Sequence, residues 1–524
     1  MGEQSSVRNR LWLVLVLSTV VLVVTARSFL VDHKLWHPDE YIPAVIVPEM
    51  QFRSWDTNWD LYPLPEVFKY PQYNFASYLY FSAAVRKLTA SSDEWWPRDE
   101  LNRLRRSNIV LLTGVLLVSA WLARQWFGPW ASLLWTVLLA WDPLLLVDAA
   151  FARPETWMTL LTLGTIAFAV WPAVRPVRQR YTLLLAASFL VGLATACKFT
   201  MALVMWTPLF VLIWNRHDLR RQKLFLGLGG LVGAAAFGFI AGVPYAIPHW
   251  REYLNGVLFL KNQYASLHVP HAHLGGERVW DLMVGYGIGV YGYVYCFSAV
   301  VGATYALWRY RLLALATVPV VLVFFVLFGS RTSFYERNLS PVQPLIALYC
   351  CLGILFCARL VREKCAAAGV RRGLLAGIIA AALLPSISTS SVIVFRGILG
   401  EEEKEKERFL DSVRAANPEY DEIHARVVMA QHAYDTAMML ATRTEPAIVV
   451  LPDYADPFSE KHSSELVAML RGAIVQIGAY EGWFHDFPRS TLQVYFGSSC
   501  RVYRFTPEGS AGDSVTTSSP VNAD

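Results

Sequence analysis

Residues 11–41, LWLVLVLSTVVLVVTARSFLVDHKLWHPDEY, run from an almost uncharged apolar stretch into polar residues that end in the adjacent acids Asp39 and Glu40. The apolar part, 11–31, is long enough for a helix to cross about 30 Å of hydrocarbon. It resembles a signal peptide, but many comparable runs follow, so it reads as an uncleaved first helix. Gly2 and Ser6 fit the myristoylation pattern by chance, since a chain with many spans has no need of a lipid anchor.

The whole chain of 524 residues is 55% hydrophobic and 17% charged, which excludes an ordinary soluble enzyme and predicts a polytopic membrane protein. Runs of about 17 to 22 residues, the length needed to span a bilayer, recur near 108–124, 131–148, 156–172, 181–197, 199–214, 224–243, 284–307, 312–329, 341–358 and 373–395. With 11–31 they make about eleven spans. If the spans alternate, Arg8 and Arg10, Arg124, the 175–180 arginines, the 216–223 cluster, Arg309 and Arg311, and the 359–372 cluster all fall on one side. That side is cytoplasmic by the positive-inside rule. The opposite, external side receives 32–107, 149–155, the junction at Lys198, 244–283, 330–340 and everything after about 396. Two weaker apolar stretches in the first external loop, 41–52 and 72–90, suit helices lying along the membrane surface.

The seven cysteines are scattered, five of them in apolar runs, and imply neither a disulfide framework nor a zinc site. After residue 395 the character changes. EEEKEKERF reads as a solvated helix, and AIVVLPDY and TLQVYFGSSCRVYRF read as strands. The expected fold class is therefore mainly α: a transmembrane helical core over 1–395, a small external α/β domain over 396–506, and a disordered tail over 507–524. No nucleotide-binding glycine motif or basic nucleic-acid stripe is present.

Several polar residues interrupt this pattern at its external edge. Asp39 and Glu40 suit the first turn of a helix opened by Pro38, where the dipole favours acids; equally, a carboxylate at the membrane boundary suits a general base. Lys69 and Tyr70 stand in a loop rich in Trp and Tyr, where a lysine either snorkels or meets a lipid-linked phosphate. Asp148, Arg153 and Glu155 place three charges in eight residues at one short turn, a costly arrangement unless they line a polar cavity. His268, His271 and His273 read as solvated loop histidines before metal ligands. Arg331, Tyr335 and Arg337 precede a late span, as interfacial anchors or as a phosphate-binding fork. Lys198 reads as a snorkelling residue at a helix end.

In this order the pieces HPDEY, KYPQYNFASYLY, DAAFARPE, GLATACKFT and YERNLSPVQPLIAL, spread over roughly residues 10–360, resemble the GT-C superfamily of integral-membrane glycosyltransferases. The similarity is to the branch of the protein O-mannosyltransferases and the lipid A aminoarabinose transferases. The resemblance implies inverting transfer from a polyprenyl-phosphate sugar on the external face. By the resemblance, Asp39 is the base, and Glu155, with Asp148 and Glu40, supplies supporting acids. The resemblance also implies Lys69 and Arg337 at the donor phosphate; beside them the residues themselves offer Arg331 or His271 for the phosphate and Tyr70, Arg153 and Tyr335 for the substrate site. The aminoarabinose branch has an acid before the matching lysine, where it helps to hold a metal. Here that position is Phe68, so the expected site has no metal ligand there and no cofactor is assigned.

The expected partners are a polyprenyl-phosphate sugar donor, a lipid, glycan or protein acceptor, and membrane lipids, with no nucleic acid. The expected location is a bacterial inner membrane with the C-terminal domain periplasmic, or the endoplasmic reticulum membrane in a eukaryote. Two rivals stay open at this point. A transporter or lipid-linked-sugar flippase would line a path with the same charges. A non-catalytic membrane subunit would use its C-terminal domain to bind a partner and would leave Asp39 without a chemical role.

Overall fold

The computed structural model describes residues 2–28, 31, 38–50, 55–64, 72–89, 97–171, 177–215, 221–265, 278–332, 335–365, 367–398, 401–418, 420–424, 439–440, 442–452, 472–480, 500–507 and 521–522. Phe68, Lys69, Tyr70 and His271 lie outside them.

The helices are α1 (Gly2–Ser28), α2 (Tyr41–Glu49), α3 (Ala76–Thr89), α4 (Pro97–Trp126), α5 (Pro129–Ala140), α6 (Pro143–Ala150), α7 (Glu155–Val170) and α8 (Val177–Cys197). They continue with α9 (Trp206–Trp214), α10 (Arg221–Gly242), α11 (Trp250–Ala265), α12 (Val279–Arg309), α13 (Arg311–Gly329), α14 (Gln343–Lys364), α15 (Ala368–Val392) and α16 (Glu401–Ala416). Two compact units result. The first holds Met1–Leu260, Gly287–Leu327 and Arg337–Ser390, and the second Lys261–Tyr286, Phe328–Glu336 and Ser391–Asp524.

Among the described residues eight helices are long and apolar enough to cross a membrane, the signature of an integral, multi-pass protein. The remaining three expected runs also form apolar helices but not simple spans. Glu155–Val170 and Phe199–Trp214 are shorter, the latter beginning as a 3-10 helix at Phe199–Met205. The run 131–148 is broken, with α5 and α6 meeting at 57°. Its cause is local: Pro143 keeps Asp142 extended (φ −74°, ψ 118°), and the Asp142 carboxylate caps α6 through Leu145 N at 3.0 Å. Gln343 Nε2 at 2.5 Å and the Tyr291 hydroxyl at 3.2 Å also donate to that buried carboxylate, so no acceptor is stranded among apolar side chains.

Helix α12 passes close to α14. A Cβ on Gly302 would stand 1.7 Å from Tyr349 O, and one on Gly353 2.0 Å from Ser298 O. Only glycine lets the two backbones touch, the usual device where lipid removes most of the hydrophobic drive for helix association.

The two surface stretches of the first loop do form helices, α2 and α3. They share a core with the loop between them and with α4: Ile42, Ile46, Trp59, Phe75, Leu79, Leu101 and Leu104 pack with Ala152 of the turn after α6. The first loop is thereby seated on the turn that carries Asp148, Arg153 and Glu155.

In the second unit five strands form a sheet in the order β1-β2-β4-β3-β5: β1 (Asp421–His424), β2 (Ala447–Pro452), β3 (Gly472–Tyr480), β4 (Cys500–Pro507) and β5 (Val521–Asn522). β4 lies antiparallel between β2 and β3, while β1 and β5 add parallel edges. Phe409, Leu410 and Val413 of α16 bury against Ile448, Val450 and Val502. The strands anticipated at 447–454 and 491–505 correspond to β2 and β4; β1 and β3 were not anticipated. Within the stretch read as a tail, β5 pairs with β3.

Candidate active site

All the cluster residues belong to the first unit. α4 supplies its anchor, because Arg105 and Asn108, three residues apart on one face of the helix, both reach the turn 148–155. Asn108 Nδ2 donates to Phe151 O at 2.6 Å and Arg153 O at 2.8 Å, with Asp148 O at 3.4 Å, and its own carbonyl takes the Tyr78 hydroxyl at 3.2 Å. Arg105 makes a two-pronged pair with Glu40, Nε to Oε1 and Nη2 to Oε2, both at 2.8 Å. The Ala152 amide adds a third bond to Glu40 Oε1 at 2.6 Å. Glu40 is 0% and Arg105 1% exposed, so this acid has no open face toward a substrate. It ties the chain beside Asp39 to the second turn.

Asp39 points elsewhere. Its Oδ2 lies 2.8 Å from Arg337 Nη1, and both side chains keep some exposure, 18% and 12%. Arg337 sits in a 3-10 turn at Glu336–Leu339, which Thr159 of α7 holds through Ser340 O at 3.1 Å. Glu155 begins α7, in the first turn, where the dipole favours an acid. Lys198 Nζ lies 2.6 Å from Glu155 Oε1, and Arg153 Nε lies 3.8 Å from Oε2, while Arg153 Nη2 reaches Asp148 Oδ1 at 2.6 Å. Burial works to raise the Glu155 carboxyl, but the positive charges of Lys198, Arg153 and Arg337 reverse it and leave its pKa lowered to about 2.

Four carboxylates (Asp39, Glu40, Asp148, Glu155) thus pair with four cations (Arg105, Arg153, Lys198, Arg337) in three groups, Glu40–Arg105, Asp148–Arg153–Glu155–Lys198 and Asp39–Arg337, which the Ala152–Glu40 bond and the charge of Arg337 felt at Glu155 relate to one another. Asp148, Arg153 and Glu155 are wholly buried, whereas Asp39, Arg337 and Lys198 retain surface. Among the described residues no three His, Cys, Asp or Glu side chains are placed to hold a metal ion.

Of the residues singled out in the sequence, Asp39, Glu40, Asp148, Arg153, Glu155 and Arg337 come together here. Arg331, partly exposed, and Tyr335, buried, belong to the second unit. Three members escaped the sequence reading. Lys198 read as a snorkelling lysine and instead pairs with Glu155, while Arg105 and Asn108 were passed over. A signal for Arg105 existed: Arg103, Arg105 and Arg106 stand at the end of a span where the positive-inside pattern predicts few arginines.

Residues 106–240 match the family model described as dolichyl-phosphate-mannose-protein mannosyltransferase. By sequence alone the chain matches no curated protein. Its structure is similar to that of ArnT from Cupriavidus metallidurans, solved with bound undecaprenyl phosphate, with a TM-score of 0.53 and 15% identity over 96% of this chain and 99% of that one. The apo form of the same protein matches with a TM-score of 0.52 and 14% identity, over 95% of this chain and 98% of that one. The oligosaccharyltransferase of Archaeoglobus fulgidus gives 0.48 and 13% identity over 72% of this chain and 54% of that one. The likeness to ArnT shows that the chain has the ArnT fold, the helical membrane fold that the sequence resemblance implied.

Proposed function

We propose that this protein is a glycosyltransferase that moves a sugar from a polyprenyl-phosphate carrier to an acceptor hydroxyl, with inversion. The acceptor oxygen attacks the anomeric carbon while the bond from that carbon to the phosphate oxygen breaks, and the polyprenyl phosphate leaves with the bonding electrons. Asp39 takes the acceptor proton. Arg337 and Lys198, each already holding a carboxylate and each still accessible, stabilise the charge that grows on the departing phosphate. Glu40, Asp148, Arg153 and Glu155 fix the frame. Lys69, His271 and Arg331 are further candidates at the phosphate, and Tyr70 and Tyr335 at the substrate.

The observation that supports this reading is the 2.8 Å pair between Asp39 and Arg337, a carboxylate beside a guanidinium of the kind that suits phosphate oxygens. The family match and the ArnT-like fold, whose solved example holds undecaprenyl phosphate, favour transfer over transport. The charge-based orientation puts the site on the external face, periplasmic in a bacterium and lumenal in a eukaryote. The acceptor class is a lipid, glycan or protein.

The test offers the purified protein a panel of radiolabelled polyprenyl-phosphate sugars with membrane extract. Wild type transfers label from at least one donor, and Asp39→Asn binds that donor without transferring. Equal turnover by both proteins overturns the assignment.

A further inference from the structure

A second polar cluster, different in charge, lies a short way from the first. Asp56, Thr57, Asn58, Gln72 and Tyr73 are each at most 6% exposed. Asp56 Oδ1 accepts from Asn58 N at 3.0 Å, and Asn58 Oδ1 accepts from Gln72 N at 3.2 Å. Asn58 Nδ2 reaches Glu252 Oε2 of α11 at 3.4 Å, and His249 Nδ1 stands 3.7 Å from the same oxygen. Glu252 and His249 are 47% and 44% exposed, so the cluster opens to solvent on their side.

Two features mark it as unfinished. Neither amide atom of the buried Gln72 side chain makes a hydrogen bond, and the Tyr73 hydroxyl, turned toward Asn58, Asp56 and Glu252, makes none of ordinary geometry. Buried amides and hydroxyls are nearly always paired. Among the described residues no Lys or Arg pairs with Asp56 or Glu252, and no three ligands converge for a metal. Among the described residues, carboxylates, amides and a phenol with no Lys or Arg partner make a set that suits groups that both donate and accept hydrogen bonds.

Its position gives this meaning. Lys198 Nζ lies 5.7 Å from the centre of the Phe75 ring, and that ring lies 5.5 Å from Trp59, the neighbour of Asn58. We propose that Asp56, Asn58, Gln72, Tyr73 and Glu252 recognise the hydroxyls of a neutral carbohydrate, one layer of side chains away from the cations that face phosphate. The inference rests on the transferase reading and deepens it: the sugar is either the donor's own ring or a glycan acceptor.

The probe is a set of methyl glycosides, with methyl phosphate as the anionic control, read by saturation-transfer NMR on the full chain in nanodiscs. Undecaprenyl-phosphate affinity is measured separately. Wild type shows saturation transfer to at least one methyl glycoside and none to methyl phosphate. Tyr73→Phe and Gln72→Leu each weaken the glycoside signal at least fivefold and leave undecaprenyl-phosphate affinity within twofold, with an unchanged melting temperature. If a sugar-loaded polyprenyl phosphate suppresses the glycoside signal and the bare carrier does not, the donor ring is the occupant; if neither suppresses it, the acceptor is. An unaltered glycoside signal in both variants, or equal transfer to methyl phosphate, overturns the proposal. A wild type that binds no polyprenyl phosphate overturns the transferase reading alone.

Discussion

Arg337 Nη1 and Asp39 Oδ2 stand 2.8 Å apart, an ion pair formed between the first loop and the turn before α14. If the proposed roles hold, this pairing occupies both the base and the cation before substrate arrives. On the transferase reading proposed above, a donor phosphate would compete with Asp39 for the guanidinium, and its arrival would free the carboxylate to take a proton. Replacing Arg337 with Gln is expected to raise the donor KM and to lower kcat. Arg337→Lys recovers part of the loss but not the geometry of a fork. Steady-state kinetics over a donor series checks this, and an unchanged KM in Arg337→Gln removes Arg337 from the phosphate site.

Asp39→Asn keeps a hydrogen-bonding side chain of the same size and removes the carboxylate proposed as base. Turnover is expected to fall by about 10²–10⁴-fold, the usual worth of a positioned general base, while donor binding stays within a few fold. Single-turnover transfer and equilibrium binding separate the two effects.

Glu40 and Arg105 are buried partners, so removing either strands the other. Glu40→Ala and Arg105→Ala are each expected to cost about 3–5 kcal/mol of stability, read as a lowered melting temperature in detergent. The double variant should cost less than the sum of the two, because the pair is lost only once. Full additivity would show that the two residues do not act together.

Glu155 provides a pH prediction with a definite sign. Its folded pKa is lowered to about 2, below the ordinary value of about 4.3. It therefore contributes stability above the unfolded pKa, and that contribution drains away as pH falls from about 4.3 toward 2. Lys198→Met removes the strongest attraction, so the acid transition should move to higher pH. Circular dichroism across pH 2–6 tests this, and a transition that stays in place shows that Lys198 does not hold the carboxylate charged.

Gly353→Leu puts a side chain where even a Cβ would stand 2.0 Å from Ser298 O. The two helices have to separate, and a loss of folded, monodisperse protein is expected. Gly373→Leu on α15, where a Cβ meets nothing within 4 Å, serves as the tolerated control in the same size-exclusion assay.

Much of this was legible because charge is conspicuous in an apolar chain. Asp39, Asp148, Glu155 and Arg337 each interrupt or border a span, and a group that is costly in lipid announces itself by type and place. The break in 131–148 was not anticipated, although Asp142-Pro143 is a helix-start signature inside a run that otherwise passes for one helix. The pairing was not readable. Glu40 and Arg105 are both ordinary helix-end residues until the first loop folds against α4, and Lys198 looks like any lysine at the end of a span until Glu155 is placed beside it. In the second unit, β1 is four residues with two acids, and β3 begins on Gly472 and is interrupted by a bulge between Gln476 and Gly478. Neither shows the alternation that marks a strand.

The turn that bears Arg153 is fastened by an uncharged side chain, the Asn108 carboxamide, through two backbone carbonyls. An amide does not titrate and is little affected by screening ions. Mild acid can therefore weaken the carboxylate contacts around this loop without undoing its shape, so activity lost above the acid transition should return on dialysis.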